Sequence, residues 1–369
     1  MRGIFDFRSS IFERVVVLIA LGCVAADWRT AEPGWQYEFP RDHQPHPEFK
    51  TEWWYFTGNL DAANGDRFGY QLTFFRQGIR PPAERDANMS RFVVGDLKFA
   101  HFTVTDTSGK RFKFQQKTSR GAFGEAGFND GERLAWIDSW SLQMDPSGVF
   151  YLRADSSDAA IELRLESVKP PAIHGASGIS AKASGEGHAS HYYSLTRLAT
   201  TGTLQIGGAE HRVKGESWFD HEWATNQLAA DQVGWDWLSV AFEDGSELML
   251  YQMRLENGTA DAASSGTWIA ADGTTEHLAG SAYKMVPTKW WKSGGSRANY
   301  PIGWRVDVPG LALQIEARAA VENQELALMP VAYWEGAIDV NGTREGKPIK
   351  GRGYLELTGY AGPLRELQR

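Results

Sequence analysis

The sequence predicts an all-β fold made of two related β units, and three observations carry that reading. Few segments show the 3.6-residue apolar spacing of a helix. Most apolar stretches are short, aromatic or β-branched, and bounded by Gly, Asn, Asp or Pro, as strands are. Two pairs of segments also resemble each other along the chain. The 369 residues are too many for one ordinary core and suit two domains.

In chain order, the clearest strands are Trp53–Leu60, Phe68–Arg76, Phe99–Thr105, Leu238–Phe242, Leu248–Arg254, Trp304–Val308 and Leu311–Ala317. Asn64-Gly65-Asp66, Asp244-Gly245 and Asn341-Gly342 read as turns between them. The Gly-, Ser- and Ala-rich stretch Lys169–Ser190 reads as a long mobile loop, a length often used for lids.

The repeat is weak but paired. Thr51–Arg76 and Gly234–Arg254 each hold a Trp-rich strand, a Gly turn and an apolar strand ending in Arg. Trp53 and Tyr55 match Trp235 and Trp237, with the second strands about two residues out of register. Gly202–Trp223 resembles Gly336–Tyr360, so that Trp218 matches Tyr354, Asp220 matches Glu356 and His221 matches Leu357. The two pairs mark the openings and closings of two units. The expected division is an N-terminal domain over 50–225 and a C-terminal domain over 226–369, after a lead segment at 27–49.

The chain is 42% hydrophobic and 23% charged, as a soluble globular protein is. Its 15 Trp residues suit a lined cavity as well as a β-rich core. A formal charge of −8 with no basic run argues against nucleic acid as a partner. At the start, Arg2, Arg8 and Arg14 precede the apolar run Val15–Ala26, the layout of an export signal over 1–26. Val24-Ala25-Ala26 suits ordinary cleavage, whereas Leu21-Gly22-Cys23 is similar to a bacterial lipoprotein box. The expectation is a periplasmic protein or a membrane-anchored lipoprotein, touching the membrane only through Cys23. Cys23 is the only cysteine, so the mature chain has no disulfide.

The candidate site centres on WFDHEW, Trp218–Trp223. Strand alternation puts Trp218, Asp220 and Glu222 on one face and Phe219, His221 and Trp223 on the other. The match to Leu357 turns His221 inward, where desolvation lowers an imidazole pKa and nearby carboxylates raise it. That balance suits proton transfer near neutral pH, and equally suits a structural hydrogen bond. Glu52 and Asp236 lie beside the duplicated Trp strands, and a buried carboxyl is a plausible proton donor. The catalytic candidates are His221, Asp220, Glu222, Glu52 and Asp236. Trp53, Tyr55, Trp223, Trp235, Trp237 and Tyr251 are the candidate binding residues.

Other chemistries fit poorly. There is no G-x-S-x-G elbow and no second His at zinc-helix spacing after His221-Glu222. Gly351-Arg352-Gly353 lacks the rest of a dinucleotide fingerprint, and no P-loop is present. No metal and no cofactor are expected.

The stretches FPRDHQPHPEFKTEWWYFTGNL, AHFTVTD, HASHYYSLTRL, VKGESWFDHEWATNQ, GWDWLSVAFEDGSELMLYQMR and YWEGAIDVNGTREGKPIKGRGYLELTGY resemble the lipocalin-like carotenoid 1,2-hydratase superfamily. More closely, they resemble its AttH-like branch, known as predicted secreted hydrolases. The resemblance spans about Glu38–Tyr360. It implies two lipocalin-like β domains with a pocket in or between them, and a long apolar ligand. Acid–base hydratase or hydrolase chemistry is one implied role. The other is a carrier, or an accessory to an ABC-type exporter.

Overall fold

The computed structural model describes residues 28–364, apart from 87, 89, 91, 130 and 329–331. The expected export leader, with Cys23 and both cleavage sites, lies outside the described residues.

The N-terminal strands are β1 (Thr51–Ala62), β2 (Arg67–Gly78), β3 (Asp96–Asp106), β4 (Arg111–Ser119), β5 (Ala126–Phe128), β6 (Arg133–Ile137), β7 (Trp140–Met144), β8 (Phe150–Asp155), β9 (Ala159–Ser167), β10 (Ala172–Ile173), β11 (Ser180–Ala181), β12 (Ala189–Ile206) and β13 (Ala209–Ala224). They form one antiparallel sheet in the order β4-β3-β2-β1-β13-β12-β9-β8-β7-β6-β5, with β10 and β11 added along β12. The C-terminal strands are β14 (Gln232–Phe242), β15 (Glu247–Leu255), β16 (Ser265–Ile269), β17 (Thr275–Ala279), β18 (Lys284–Lys292), β19 (Asn299–Val308), β20 (Leu313–Ala319), β21 (Glu325–Leu326), β22 (Tyr333–Arg344) and β23 (Lys347–Leu357). Their order is β17-β16-β15-β14-β23-β22-β20-β19-β18, with β21 on β22. Helix among the described residues is confined to single 3-10 turns.

The second order superimposes on the first from β4 to β7, leaving β6 and β5 without counterparts, and in each sheet the opening strand pairs with the closing strand. Registers agree as well. Tyr55 stands opposite Asp220, and Trp237 opposite Glu356. Arg76 and Arg254 each stand opposite the residue that precedes the first matched Trp. The apparent two-residue slip in the sequence is therefore absorbed at the far ends of the hairpins.

Each sheet curls around its own core. In the first, Phe102 of β3 packs edge-on against Trp140 of β7, and the Lys117 ammonium lies 5.1 Å over the same Trp ring. These contacts bring the sheet's ends together over Trp54, Phe56, Phe74, Phe150, Leu163 and Phe219, all buried. The second sheet does the same over Leu238, Leu250, Trp304, Ile315, Trp334 and Leu355. Full burial of one such side chain contributes about 1.5–3 kcal/mol, so the two cores stabilise a chain whose single cysteine allows no internal disulfide.

A third apolar cluster joins the sheets. Tyr55, Tyr192 and Trp218 of the first pack with Trp237, Met249, Tyr251 and Tyr354 of the second. Alternation explains it: the inward residues of β1 and β13 fill the first barrel, and their outward neighbours meet the second sheet. Ion pairs frame the contact. Arg352 grips Asp61 with two 2.8 Å bonds, and buried Glu247 takes Arg197 and Lys169 at 2.7 Å each.

Two local expectations change. Asn341-Gly342 lies inside β22, and the turn falls at Glu345-Gly346, both at positive φ. Gly342 is there for closeness, since a Cβ would stand 2.0 Å from the Gln314 carbonyl on β20. Lys169–Ser190 is a structured strap, with β10 and β11 paired to β12 and its own Lys182 side chain buried.

Candidate functional site

Between the sheets lies a cavity of about 550 Å³. One wall comes from the outer faces of β1, β2, β3 and β13, and the other from β14, β15, β22 and β23. Its lining is mostly apolar and aromatic, including Trp53, Tyr55, Phe75, Phe99, Tyr192, Trp235, Trp237 and Tyr251. Four carboxyl side chains reach the same space: Asp220, Glu222, Glu335 and Glu356.

Asp220 is the best anchored. It accepts from the Tyr192 hydroxyl at 2.7 Å, the Trp218 indole at 2.5 Å and the Ser194 hydroxyl. Trp237 in turn donates to the Tyr192 oxygen at 3.1 Å, tying the second sheet to the first. Burial pushes Asp220 up to about 7 despite those donors. Glu222 is paired: the Lys182 ammonium lies 3.0 Å away and Gln227 donates at 3.1 Å. The same ammonium sits 4.1 Å over the Tyr251 ring and 5.0 Å over Tyr192. Burial opposes the Lys182 charge, yet Glu222 and the surrounding anionic groups hold its pKa above the ordinary value.

Glu335 and Glu356 form a different unit. They stand opposite each other on β22 and β23. Glu356 accepts from the Trp235 indole at 3.0 Å, and burial raises it to about 7. Glu335 is 1% exposed, and neither of its oxygens reaches hydrogen-bonding geometry with a neighbour. Burial first, and then the charge of Glu356, raise its pKa well above the carboxylate range, although the nearby Tyr55 and Tyr333 hydroxyls favour its anion. The imidazole of this cavity is His101. Its Nδ1 pairs with the Tyr333 hydroxyl at 2.7 Å, its Nε2 has no partner, and burial lowers it to about 3.

The structure thus divides the sequence candidates into three groups. Asp220, Glu222, Trp53, Tyr55, Trp235, Trp237 and Tyr251 line the cavity. His221, Glu52 and Trp223 lie inside the first barrel instead. There Glu52 takes His46 Nδ1 at 2.8 Å, His221 Nε2 at 3.0 Å and Arg76 Nε at 3.1 Å, while His221 Nδ1 meets the Asp42 carbonyl at 2.9 Å. Trp223 stacks on His46 at 3.8 Å, and Trp54 covers His221 at 4.6 Å. His221 does turn away from Asp220 and Glu222, as alternation requires, but into a packed ionic hub rather than an apolar cavity. Asp236 is the third case, inside the second barrel, held by Arg254 at 2.5 Å and Tyr360 at 2.9 Å.

His46, Glu52 and His221 also have the spacing of metal ligands among the described residues. Their ligand atoms are turned on one another, and Glu52 already carries the Arg76 guanidinium. That geometry suits a self-satisfied charge network. Burial opposes the charge on Glu52, but bonds from His221 and His46 and the Arg76 charge hold its pKa well below the ordinary range.

Sequence reasoning missed Glu335, Glu356, Lys182, Tyr192 and His101. Glu356 could have been found, because the repeat already matched it to Asp220. Glu335 could not, because its place depends on the β22–β23 register.

Two curled sheets in tandem, packed through their Trp-strand faces, define a two-domain lipocalin-like protein. Residues 30–360 match the AttH-like family, and the chain belongs to it. A crystal structure of a Nitrosomonas europaea protein, provisionally assigned as AttH, is 31% identical, with a TM-score of 0.81 over 90% of this chain and 99% of that one. The crystal structure of kievitone hydratase from Nectria haematococca shares the fold at 14% identity, with a TM-score of 0.69 over 88% and 93% of the two chains. No curated protein sequence matches significantly.

Proposed function

We propose that the inter-sheet cavity binds an apolar, unsaturated or ester-containing small molecule and carries out acid–base hydration or hydrolysis on it. One observation carries the reading: four carboxyls converge in an aromatic-walled cavity, with Asp220 and Glu356 raised to about 7. A carboxyl of that pKa is a proton donor near neutrality that can take its proton back. In hydration, Glu356 or Asp220 gives its proton to one alkene carbon. Water adds its oxygen to the other carbon, and the proton that water loses returns to the carboxylate. His101, neutral and with Nε2 unpartnered, holds the water. The positive charge that develops between these steps faces Trp235 and Trp237. His221 then acts through the fold rather than on the ligand. The hydratase that shares the fold makes hydration the first reaction to test.

The test is incubation of the protein in heavy-oxygen water with a panel of unsaturated lipids and esters, starting with those that co-purify. Incorporation of heavy oxygen, lost in Glu356→Gln with Asp220→Asn, is the expected result. Binding without incorporation would identify a carrier or exporter accessory. Export accompanies this proposal. Cell fractionation of wild type and Cys23→Ser tests it, and an uncleaved cytosolic chain would overturn it.

A further inference from the structure

The charges that reach the cavity do not balance. Among the described residues two cations touch it, and both are already paired: Lys182 to Glu222 at 3.0 Å, and Arg76 to Glu52 at 3.1 Å inside the first barrel. His101 is neutral, with its Nδ1 on Tyr333. Asp220 is satisfied by three neutral donors. Among the described residues Glu335 and Glu356 are left facing each other with no cation, and the Tyr55 and Tyr333 hydroxyls beside Glu335 do not reach hydrogen-bonding geometry with either of its oxygens. A buried, unpartnered carboxyl is costly, and a fold keeps one where something else completes it.

The protein shows what completes such a place. At Glu222, another acid of the cavity, the partner is an ammonium. Lys182, 7% exposed, sits on Glu222 and over the face of Tyr251. Aromatic faces and a carboxylate together replace the water that a buried ammonium loses. The Glu335–Glu356 pair has the same surroundings without the cation. Trp235 touches Glu356, Tyr55 lies beside Glu335, and Trp237 meets Tyr55 edge-on at 5.4 Å. Phe75 and Phe99 stack at 4.6 Å and line an apolar wall, reached from the acid pair past Tyr333 and His101.

We propose that the cavity binds an amphiphilic organic cation, its ammonium head between Glu335 and Glu356 and its tail along the Phe75–Phe99 wall. Binding converts the acid pair toward carboxylate and releases a proton to solvent. Among the described residues, Tyr55 and Tyr333 beside Glu335 and, further round the cavity, Asp220, Glu222, Lys182, Arg76, His101, Tyr192 and Tyr251 are the other titratable groups around that event. The assignment requires the acid pair and the aromatic faces, and it holds with or without turnover; with such a cation bound, Asp220 rather than Glu356 is the proton donor.

Calorimetric titration of the full chain with decyltrimethylammonium, 1-decanol and decyl sulfate, below their micelle concentrations, tests it. The ammonium has no proton of its own, so a preference for it reports charge and aromatic contact alone. The expected result is binding about tenfold or more tighter than decanol, and no better binding of the sulfate. Protons should be released with the ammonium only, read by repeating the titration in buffers of different ionisation enthalpy. Glu335→Gln with Glu356→Gln should lose that preference and keep decanol binding. Equal affinity for ammonium and decanol, preference for the sulfate, failure of the ammonium to bind, or a preference that survives in the double variant would each overturn the proposal. The wild-type comparison decides alone if the double variant does not fold. Heavy-oxygen incorporation without ammonium preference would leave the catalytic reading intact and sink this one. Ammonium preference without incorporation would do the reverse.

Discussion

Glu335 and Glu356 face each other across the β22–β23 ladder, and both turn into the cavity between the sheets. Two acids so placed cannot both ionise cheaply, because each is desolvated and each repels the other's charge.

Stability should therefore fall as pH rises from about 4.5 toward 7. Glu356 has a pKa of 4.5 when unfolded and about 7 when folded, so over that interval the native state holds more protons than the unfolded chain. The loss from this group is roughly 3 kcal/mol at full development, by the cost of one pKa unit. Asp220, raised from 3.8 to about 7, acts with the same sign. Urea denaturation across this range should show the decline in wild type and a shallower one in Glu356→Gln, whose amide oxygen still accepts from Trp235. An unchanged slope in the variant would mean that Glu356 titrates normally.

The hub around Glu52 has the opposite sign. Its folded pKa is depressed, so its stabilisation is present above about 4.5 and lost as pH falls toward its folded value. Glu52→Gln should leave the buried Arg76 guanidinium poorly paired and cost about 3–5 kcal/mol. His221→Leu should cost about 2–4 kcal/mol, because Glu52 and the Asp42 carbonyl each lose a partner in a dry interior. Neither change should abolish ligand binding in the cavity, apart from its dependence on folding. If His221→Leu keeps full stability and loses turnover, His221 belongs to the chemistry after all.

Much of this arrangement was legible in the sequence, for physical reasons. Strand period and the paired Trp segments disclosed two duplicated β units. Alternation along WFDHEW separated Asp220 and Glu222 from His221. The sequence could not say which face met solvent, core or a second sheet. Alternation divides residues into two sets without naming what lies beyond each. The match of His221 to Leu357 correctly gave an interior position, yet that interior also holds Glu52 of β1, Arg76 of β2 and His46, the last brought there by a lead segment with no counterpart in the second unit. Glu335 depended on long-range register, which no local pattern encodes. Asn341-Gly342 read as a turn because Gly also serves close strand packing.

The tie between the sheets at Glu247 can be tested independently of any ligand. Glu247 of β15 is wholly buried and holds Lys169 of the strap and Arg197 of β12. Glu247→Ala would leave Lys169 only the Gly245 and Ala270 carbonyls, and Arg197 only Glu216 and the Phe242 and Ser246 carbonyls, and should cost about 3 kcal/mol. Because the lost bonds join two separate cores, calorimetry should also show the unfolding of the two cores less tightly coupled than in wild type. A variant that remains as stable and as cooperative as wild type would place the coupling in the aromatic cluster alone.

The last expectation concerns Lys182 and Glu222. The pair is almost fully buried, at 3.0 Å, with Lys182 part of the strap that runs from Lys169 to Ser190. Removing one partner leaves the other charge in an aromatic cavity. Lys182→Met and Glu222→Gln should therefore each cost about 3–5 kcal/mol. The double variant should cost clearly less than the sum, because it leaves no orphaned charge and Met can still pack on Tyr251. A double-mutant cycle by urea denaturation measures that coupling. Limited proteolysis gives a second readout. Lys182→Met should expose the strap to cleavage, and the double variant should protect it again. Additive costs, with no restored protection, would show that the ammonium and the carboxylate are neighbours that do not hold the strap.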